Sequence, residues 1–589
     1  MKTRSIILLF VFAPLAVLSQ WSNNPSLNTK IIDTTGTQAI PKVAVNPTNG
    51  QSYFSWFNKT EANPNFEIYL QRLDASGNKL WNDEGLLISN HPTWSWVTDY
   101  DMIADSEGDA IIVTQDARTG FSDVFAYRIS PDGTFEWGTD GIALTNDNNF
   151  DPSPQTVVTT DENIVFMWAE EPADTTDFIR INLQKLSLDG QSLWTGNTVI
   201  SKDTMHCMMP QMIATEDTGV IVVWVNTHST DTSMVGNWPN MYPMAQKIDK
   251  DGKVLWAEPT ALDTLDNMPL AFFEVALISD GNNGFFVGWM AFPAGQYLNA
   301  YIQHVSSDGT PQWAANGLPV SDSLQYQHTD PSLVWLPQHE EVFVFWNIMY
   351  PFVWTEAIYG QKFSIDGQNL WIAGGINFTG WMTDTLIALA DIKSASEDDI
   401  CMFFENEFIA ISGSDTTLNN DYYACRINRE GATVWGDTTT LFANSTGAKY
   451  GMALSELNNG QWIAVWQDCR SNPASIQETG IYAQNIRTNG TLGPLNIGEL
   501  HPISNLMVSC YPNPFDNNFN VEYEIEQEGN VEISLYDLFG REIRQLFSAE
   551  QQPGSYRYTF NGTDLHVGVY IIKLRQNGNM ACHKIVKSK

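Results

Sequence analysis

Positive charge is scarce in this 589-residue chain, which has 30 lysine and arginine residues against 68 aspartate and glutamate residues. The net charge of −38 repels the phosphates of nucleic acids, so we predict no nucleic-acid partner. We interpret the acidity as a source of solubility outside the cell. The alternative is that loop carboxylates hold Ca²⁺, but no motif supports this cofactor. Asp249-Lys250-Asp251-Gly252 lacks the further acidic ligands of a calcium loop and is predicted to be a hairpin turn.

Long apolar runs are absent after the first 19 residues, and no helical periodicity extends over three turns. We therefore expect no transmembrane segment in the mature chain. The start of the chain has the pattern of a signal peptide, with charged residues at 1–4 and an apolar run at 5–18. Small residues at Val17 and Ser19 place the cleavage after Ser19. Residues 1–19 are thus predicted to be removed during export.

Cysteine is also rare, with six residues and no Cys-x-x-Cys pair, which argues against a zinc or redox site. In an exported chain, six cysteines are compatible with disulfides. Two pairs lie on strand patterns that can face each other, one within the last repeats and one near the two ends of the C-terminal segment. The expected disulfides are Cys401–Cys425 and Cys510–Cys582.

Catalytic motifs are missing as well. The nine histidines form no ligand pair such as His-Glu-x-x-His, and neither Gly-x-Ser-x-Gly nor a phosphate loop occurs. The turns at 130–133 and 307–309 are similar to sialidase Asp-boxes, but their glycine comes one place early and arginines are too sparse, so we reject that assignment. Residues 205–209 (MHCMM) are read as apolar packing rather than a copper site. Acid pairs for glycoside hydrolysis stay open, because their separation in space decides them.

What the chain does have is a repeated phrase of a strand, a tight turn and a tryptophan, which occurs eight times between Leu73 and Gly490. The tryptophans of the first seven copies are spaced 56 to 64 residues apart by subtraction. A period of this length made of strands predicts a β-propeller of eight four-stranded blades. A large aromatic in nearly every repeat favours packing between blades over sugar stacking. These residues are Trp81, Trp137, Trp194, Trp256, Trp313, Trp371 and Trp435.

The third copy shows the predicted unit. Its strands are expected at 155–159, 164–168 and 178–186, and the Asp189-Gly190 turn leads to an outer strand holding Leu193 and Trp194. A glutamine repeated on the third strand is predicted to be a buried hydrogen-bond partner of the backbone. It occurs as Gln71, Gln184, Gln246, Gln303, Gln361 and Gln484.

The ring is predicted to close through its amino terminus. The eighth copy lacks a tryptophan and an outer strand, whereas the segment after Trp21 parallels the segment after Trp81. We therefore predict that the N-terminal segment supplies the outer strand of the last blade, which removes an open sheet edge.

After about Pro502 the pattern changes to alternating strands, as in VEYEIE and VEISLYDL, which indicate a small sandwich. Together with the motif residues, this tail resembles the type A C-terminal sorting domain of proteins exported by the type IX secretion system of Bacteroidota. The resemblance implies an immunoglobulin-like β-sandwich whose partners are the secretion machinery and its sortase at the outer membrane. It also implies a protein that is released or joined to surface lipopolysaccharide. The alternative is a plain accessory β-domain. The motif residues are Tyr511, Pro512, Asn513, Pro514, Phe515, Gly540, Gly568, Tyr570 and Lys584.

The predicted fold class is therefore all-β, an eight-bladed propeller followed by a small immunoglobulin-like sandwich. We predict a signal peptide at 1–19, the propeller at 20–498, a linker at 499–508 and the sorting domain at 509–589. The protein is expected to be secreted or displayed on the cell surface.

Function on such a scaffold belongs to the loops that break the repeat. Loops from outer to inner strands and from second to third strands emerge on one face, where large amphipathic residues suit recognition of a carbohydrate or a protein. The alternative is that these residues fill the channel or cover other loops. We predict a binding protein without catalysis. The other hypotheses are a glycoside hydrolase or polysaccharide lyase on the same ring, and a purely structural surface protein. The candidate ligand-binding residues are Trp94, Trp96, His206, Trp238, Tyr242, Tyr326, His328, Trp354 and Trp381.

Overall fold

The computed structural model consists of two compact units, Met1–Gly493 and Pro494–Lys589. Every regular element in the described residues is a β-strand, which confirms the predicted all-β class. Within the same residues, no helix has the length and hydropathy needed to cross a membrane. The structure describes residues 20–588 except for 47–48, 61–64, 94–99, 175–176, 203, 228–240, 265–274, 293–296, 324, 351–354, 384, 413–414, 437–438, 476, 495–506, 526–527, 537–541, 567 and 577–578. The predicted signal peptide lies outside the described residues.

The chain begins its first sheet with β1 (Thr29–Ile32) and then builds blades one to four in order, each from its inner to its outer strand. Blade one contains β2 (Thr37–Val45), β3 (Ser52–Lys59), β4 (Glu67–Leu73) and β5 (Leu86–Ser89). Blade two contains β6 (Asp101–Ala104), β7 (Ala110–Asp116), β8 (Asp123–Ile129) and β9 (Ile142–Ala143). Blade three contains β10 (Gln155–Val158), β11 (Ile164–Glu170), β12 (Arg180–Leu186) and β13 (Thr198–Ile200). Blade four contains β14 (His206–Ala214), β15 (Val220–Thr227), β16 (Met241–Ile248) and β17 (Thr260–Ala261).

Blades five to eight continue the same antiparallel pattern. Blade five contains β18 (Ala276–Ser279), β19 (Phe285–Ala291), β20 (Asn299–Val305) and β21 (Leu318–Pro319). Blade six contains β22 (Gln327–Leu336), β23 (Glu341–Met349), β24 (Glu356–Ser364) and β25 (Ile376–Asn377). Blade seven contains β26 (Leu386–Ser394), β27 (Asp399–Ser412), β28 (Asp415–Asn428) and β29 (Thr440–Ala443). Blade eight contains β30 (Lys449–Leu454), β31 (Gln461–Asp468) and β32 (Gly480–Arg487), with β1 as its fourth strand.

The N-terminal strand closes the ring, as the sequence predicts. β1 pairs antiparallel with β32, with Thr29 opposite Ala483 and Lys30 opposite Tyr482. Asn28 supports the junction, because its Nδ2 donates to the carbonyl of Phe442 at 2.7 Å. The first and last parts of the unit therefore share one sheet, and the eight four-stranded sheets confirm the predicted number of blades.

The repeated tryptophans connect neighbouring blades. The indole Nε1 of Trp194 donates to the carbonyl of Lys250 in the hairpin turn of the next blade, at 2.9 Å. The turn glycine Gly252 has φ +83°, and a Cβ there would lie 2.7 Å from the Trp194 ring, so only glycine fits. Trp21 makes the same contact from the N-terminal segment, donating to the carbonyl of Ala75 at 3.0 Å. The interpretation of these rings as packing between blades is confirmed.

The repeated glutamine is a buried partner of the backbone, as predicted. Gln246 accepts a hydrogen bond from the backbone N–H of Trp256 at 3.2 Å and donates to the Trp256 carbonyl at 3.0 Å. Gln303 does the same for the next copy, accepting from Trp313 at 3.0 Å and donating to Ala314 at 2.9 Å. The glutamine thus fixes the segment that carries each tryptophan.

The position predicted for the outer strand of blade three is wrong. Leu193 and Trp194 do not lie on that strand, which is β13 and runs over Thr198–Ile200. The backbone N–H of Leu193 still donates to the carbonyl of Lys185 at 2.8 Å, so the hairpin extends this far. Trp194 then turns its ring toward blade four, and the chain leaves the ladder before it forms the outer strand. The turn at Asp249, in contrast, is the predicted hairpin turn, with the N–H of Gly252 donating to the Asp249 carbonyl at 3.0 Å.

The hydrophobic core of the first unit lies between adjacent sheets. One cluster joins Val165 and Leu183 of blade three to Val222 and Met244 of blade four. The second strands are buried along their whole length in several blades, for example β11 and β15. Each blade therefore stabilises its two neighbours, and the ring needs no single thick interior.

The expected Cys401–Cys425 disulfide is wrong. Cys401 pairs with Arg426, and Cys425 pairs with Met402, so the two cysteines are offset by one residue and point to opposite faces of the sheet. Both are free and buried. Burial raises the pKa of Cys425 to about 11. Cys510 is also a free, buried thiol, and the side chain of its expected partner Cys582 lies outside the described residues.

The second unit is a two-sheet β-sandwich, as predicted. One sheet has the order β33-β34-β37 and the other β36-β35-β38-β39, and Phe519, Ile533 and Leu574 are buried in the core. The first strand begins at Met507, two residues inside the predicted linker, most of which lies outside the described residues. The strands are β33 (Met507–Tyr511), β34 (Asn518–Ile525), β35 (Gly529–Tyr536), β36 (Glu542–Gln551), β37 (Gly554–Asn561), β38 (Gly568–Gln576) and β39 (Asn579–Lys587).

Candidate functional site

The irregular connections of the propeller lie on one of its faces. The loops from second to third strands and the connections from each outer strand to the next inner strand meet there, as shown by bridges between Ser122 and Phe150 and between Glu356 and Met382. We call this face the loop face. The hairpins between third and outer strands, such as the turn at Gly252, lie on the opposite face. The sequence predicts this grouping of connections, and the bridges confirm it.

Exposed aromatic side chains concentrate on the loop face. Among the described residues, five aromatic side chains are at least 37% exposed, and each lies in a connection of this face. Exposed aliphatic side chains such as Leu193 and Leu255 lie in hairpins of the opposite face. An exposed aromatic ring is a stacking surface for a sugar or a contact for a protein. The five residues are Phe121, Phe292, Tyr297, Tyr350 and Trp381.

Four rings form a group at the junction of blades six and seven, which we call the aromatic cluster (Tyr326, Tyr350, Tyr359 and Trp381). The ring of Tyr326 lies 5.4 Å from that of Tyr350 and 5.1 Å from that of Trp381, between centroids. Tyr359 lies 6.1 Å from Trp381. Trp381 is 37% exposed and Tyr350 is 46% exposed, so the cluster has a solvent side.

Backbone contacts position the cluster. Glu356 at the start of β24 exchanges two hydrogen bonds with Met382, which fixes the connection that carries Trp381. Tyr326 comes directly before β22, and Tyr350 comes directly after β23. Three of the rings thus project from separate connections, and the fourth, Tyr359, projects from strand β24.

Two members of the aromatic cluster are predicted from the sequence, and two are not. Tyr326 and Trp381 are predicted because they break the repeat. Tyr350 lies in the same kind of break, immediately before Pro351, and that position is a signal for it. Tyr359 lies within the third strand, where the alternation of the strand gives no sign of a surface role.

Two predicted residues are buried and have internal partners. His328 is 1% exposed, and its Nδ1 accepts the indole N–H of Trp346 at 2.8 Å while its Nε2 lies 3.0 Å from the carbonyl of Ser323. His206 is 8% exposed, and its Nδ1 accepts the backbone N–H of Ile179 at 3.2 Å. Burial lowers the pKa of both rings. With these internal partners the two histidines hold loops in place, and a contact of either with a ligand stays a prediction.

Tyr242 is half-buried and belongs to the packing of blade four. Its hydroxyl donates to the Sδ of Met205 at 3.3 Å. Cys207 next to this contact is 1% exposed, and burial raises the pKa of its thiol to about 12. The interpretation of residues 205–209 as apolar packing is confirmed, because they join the hydrophobic clusters of blades three to five. The remaining predicted residues, Trp94, Trp96, Trp238 and Trp354, lie outside the described residues.

A cavity of about 590 Å³ opens on the loop face where blade eight meets blade one. Its lining includes Thr37, Lys59, Phe66, Gln477 and Glu478. The Nζ of Lys59 lies 4.8 Å above the ring of Phe66. The lining therefore offers hydroxyl, amide and charged groups beside one aromatic face, which is a composition suited to a hydroxylated ligand.

The residues of the sorting motif tie the first strand of the sandwich to the last. Asn513 donates from Nδ2 to the carbonyl of Lys584 at 2.7 Å, and its Oδ1 accepts the N–H of Val586 at 2.9 Å. The Phe515 N–H donates to the Val586 carbonyl at 2.8 Å. The Tyr570 hydroxyl donates to the carbonyl of His566 at 2.7 Å. Tyr511 and Pro512 lead into this contact, Pro514 lies within it, Gly568 begins β38, and Gly540 lies outside the described residues.

The C-terminal unit matches a known family. Residues 509–588 match the family model described as the secretion system C-terminal sorting domain. The predicted resemblance is thereby confirmed. The sorting domain marks the protein for export to the cell surface or for secretion.

Comparisons with solved structures find distant similarities. An α-L-arabinofuranosidase from Fusarium graminearum is 10% identical, covering 52% of this chain and 88% of its own, with a TM-score of 0.33. An α-L-arabinanase from Penicillium chrysogenum is 11% identical, covering 58% and 94%, with a TM-score of 0.29. A Dyadobacter fermentans protein of unknown function is 10% identical, covering 77% and 96%, with a TM-score of 0.30. No curated protein sequence matches the chain.

Proposed function

We propose that this protein is a surface-displayed propeller whose loop face binds a polysaccharide without cleaving it. In this proposal the type IX machinery of a Bacteroidota cell exports the chain after removal of residues 1–19. Its sortase then separates the sorting domain from the propeller at the outer membrane. The sorting domain supports the export steps.

The observation that carries the binding role is the distribution of exposed aromatic rings. All five that the described residues expose lie on the loop face, and two of them belong to the aromatic cluster. Partly exposed rings at different angles suit the apolar faces of successive sugars in a chain. The strongly acidic protein favours a neutral or basic polysaccharide over an acidic one, because like charges repel.

The test is a glycan array with the mature propeller, followed by titration of the best glycan into three variants. Trp381→Ala and Tyr350→Ala each remove an exposed ring of the aromatic cluster. Leu255→Ala is the matched control, since Leu255 is 49% exposed on the opposite face. We expect each ring variant to bind about tenfold more weakly, which corresponds to about 1.4 kcal/mol, and the control to bind as the parent does.

Other outcomes select the other hypotheses. New reducing ends or unsaturated sugars after incubation with a polysaccharide panel identify a hydrolase or a lyase. Binding of a protein in place of any glycan identifies a protein receptor. The absence of any ligand on arrays and in pull-downs supports a structural surface protein. Equal affinities in all three variants contradict the aromatic cluster as the site.

A further inference from the structure

Three aspartates converge on the loop face at the junction of blades two and three. Asp123 is the first residue of β8, and Asp147 and Asp151 lie in the connection from β9 to β10. One carboxylate oxygen from each lies within 4.8 Å of the other two. Asp123 and Asp151 are fully buried, whereas Asp147 is exposed. Carboxylates brought this close repel one another unless a proton or a cation lies between them.

Asp151 lacks a partner for its charge. Neither of its carboxylate oxygens accepts a hydrogen bond within the described residues, although its side chain is fully buried. The hydroxyl of Thr145 is not available to it, because that proton is donated to Oδ1 of Asp123 at 3.1 Å. A buried carboxylate without a partner is strongly unfavourable, so this side chain requires a counterpart.

No side chain supplies that counterpart. In the described part of the chain, none of the three aspartates forms an ion pair with a lysine, arginine or histidine. Arg180 is the cation of this region, and it is bound to Glu170, with its Nε 2.9 Å from the Glu170 Oε1. The three carboxylates therefore lie close together without a basic side chain paired to any of them.

The corresponding junction between blades seven and eight shows which groups occupy this position in another part of the ring. Strand pairing sets the correspondence between the two junctions. Phe125 pairs with Ala143 in blade two. Tyr423 pairs with Leu441 at the same point of blade seven, next to a register shift at Tyr422. Counting along the third strand from these pairs, Asp123 corresponds to Asp421, which is followed along the chain by the connection that leads to Lys449.

A cation fills the junction in blade seven. The Nζ of Lys449 is buried there and donates to the carbonyl oxygens of Asn420 at 2.7 Å, Ser445 at 2.7 Å and Gly447 at 3.3 Å. The connection on this face thus directs carbonyl oxygens toward one point, and a positive charge occupies that point. In blade two the same connection carries acidic side chains and no lysine.

We propose that Asp123, Asp147 and Asp151 bind a Ca²⁺ ion, completed by carbonyl oxygens of the connection between β9 and β10. The donor set is oxygen alone, which excludes the nitrogen and sulfur ligands preferred by zinc. A long connection supplies ligands at irregular angles, which Ca²⁺ tolerates and Mg²⁺ does not. The ion would join the connection to the start of β8, two residues after exposed Phe121, and would hold this part of the loop face in place.

The experiment is calcium titration of the metal-stripped mature protein by isothermal calorimetry, together with thermal unfolding in CaCl₂ and in EDTA. The variants are Asp151→Asn, Asp147→Asn and the control Asp366→Asn, an exposed aspartate in a hairpin of blade six. We expect the parent and the control to bind one tight equivalent of Ca²⁺ and to unfold at a higher temperature with calcium. Both site variants should lose this equivalent and the calcium-dependent shift.

Asp151→Asn should also change the unfolding temperature in a way that depends on calcium. In EDTA it should unfold at a higher temperature than the parent, because the amide is buried without the proton that the carboxyl group must take up, and in calcium the order should reverse. Asp147→Asn changes an exposed residue, so its folding is not at risk. The proposal is overturned if the parent binds no Ca²⁺ at millimolar concentration, or if both site variants bind as the parent does.

Discussion

At the residue scale, burial separates the side chains that hold the fold from those that face solvent. His206, His328 and Trp381 all break the repeat and look alike in the sequence. The structure buries the two histidines with internal partners and leaves Trp381 37% exposed. A sequence shows that a loop departs from its repeat, but it does not show whether a side chain in that loop points inward. The aromatic cluster could therefore be predicted only in part.

Buried acidic side chains should give the free energy of unfolding an unusual dependence on pH. Burial, together with the charges of Asp147, Glu170 and Asp123, raises the pKa of Asp151 to about 8. Burial also raises the pKa of Glu405 to about 7. In the unfolded state both groups are ionised above about pH 4, whereas in the folded state Glu405 keeps its proton up to about pH 7 and Asp151 up to about pH 8. The folded state then binds more protons, so the free energy of unfolding falls as the pH rises.

We expect this fall in urea unfolding of the parent protein in EDTA between pH 5 and pH 8. Asp151→Asn should reduce the slope, since the variant retains the other buried acids and loses only this one. A variant whose slope equals that of the parent would show that Asp151 is ionised in the folded protein without calcium.

At the element scale, features that recur are predicted well and features that depend on one register position are not. The tryptophan recurs in seven copies of the repeat and the glutamine in six, so their role in packing can be inferred from periodicity. The outer strand of blade three is displaced because Trp194 turns toward the next blade before the ladder begins. The Cys401–Cys425 disulfide does not form, because the two cysteines are offset by one residue on paired strands. Their side chains therefore lie on opposite faces of the sheet.

The N-terminal segment should contribute strongly to stability because it closes the ring. Trp21 is 1% exposed, and both its indole and its backbone N–H donate to the turn of blade one. Trp21→Ala should lower the free energy of unfolding by about 3–5 kcal/mol, which is the usual cost of removing a buried tryptophan. Leu27→Ala is the control, because Leu27 in the same segment is 67% exposed, and it should change stability by less than about 0.5 kcal/mol.

Urea unfolding followed by tryptophan fluorescence measures both variants. If Trp21→Ala is as stable as Leu27→Ala, the N-terminal segment does not close the ring, and the last blade has three strands in solution.

At the scale of the whole molecule, the period of the repeat predicts the number of blades, and the tail predicts the second unit. Both conclusions depend on patterns spread over many residues, so single errors of strand position do not affect them. The identity of the ligand, in contrast, cannot be predicted from such patterns. It depends on side chains from several connections that are far apart in the chain and become neighbours only in the folded ring, as Tyr326, Tyr350 and Trp381 do.

The sorting domain marks the chain for delivery to the outside of the cell. The most direct measurement is the location and intact mass of the protein in its own cells, for the full chain and for a chain that lacks residues 509–589. We predict that the full chain reaches the surface or the medium as a propeller that begins at Gln20 and ends before residue 509. The truncated chain should stay in the periplasm. Equal amounts of both chains outside the cells, or an extracellular protein that retains the tail and the first 19 residues, would contradict the claim.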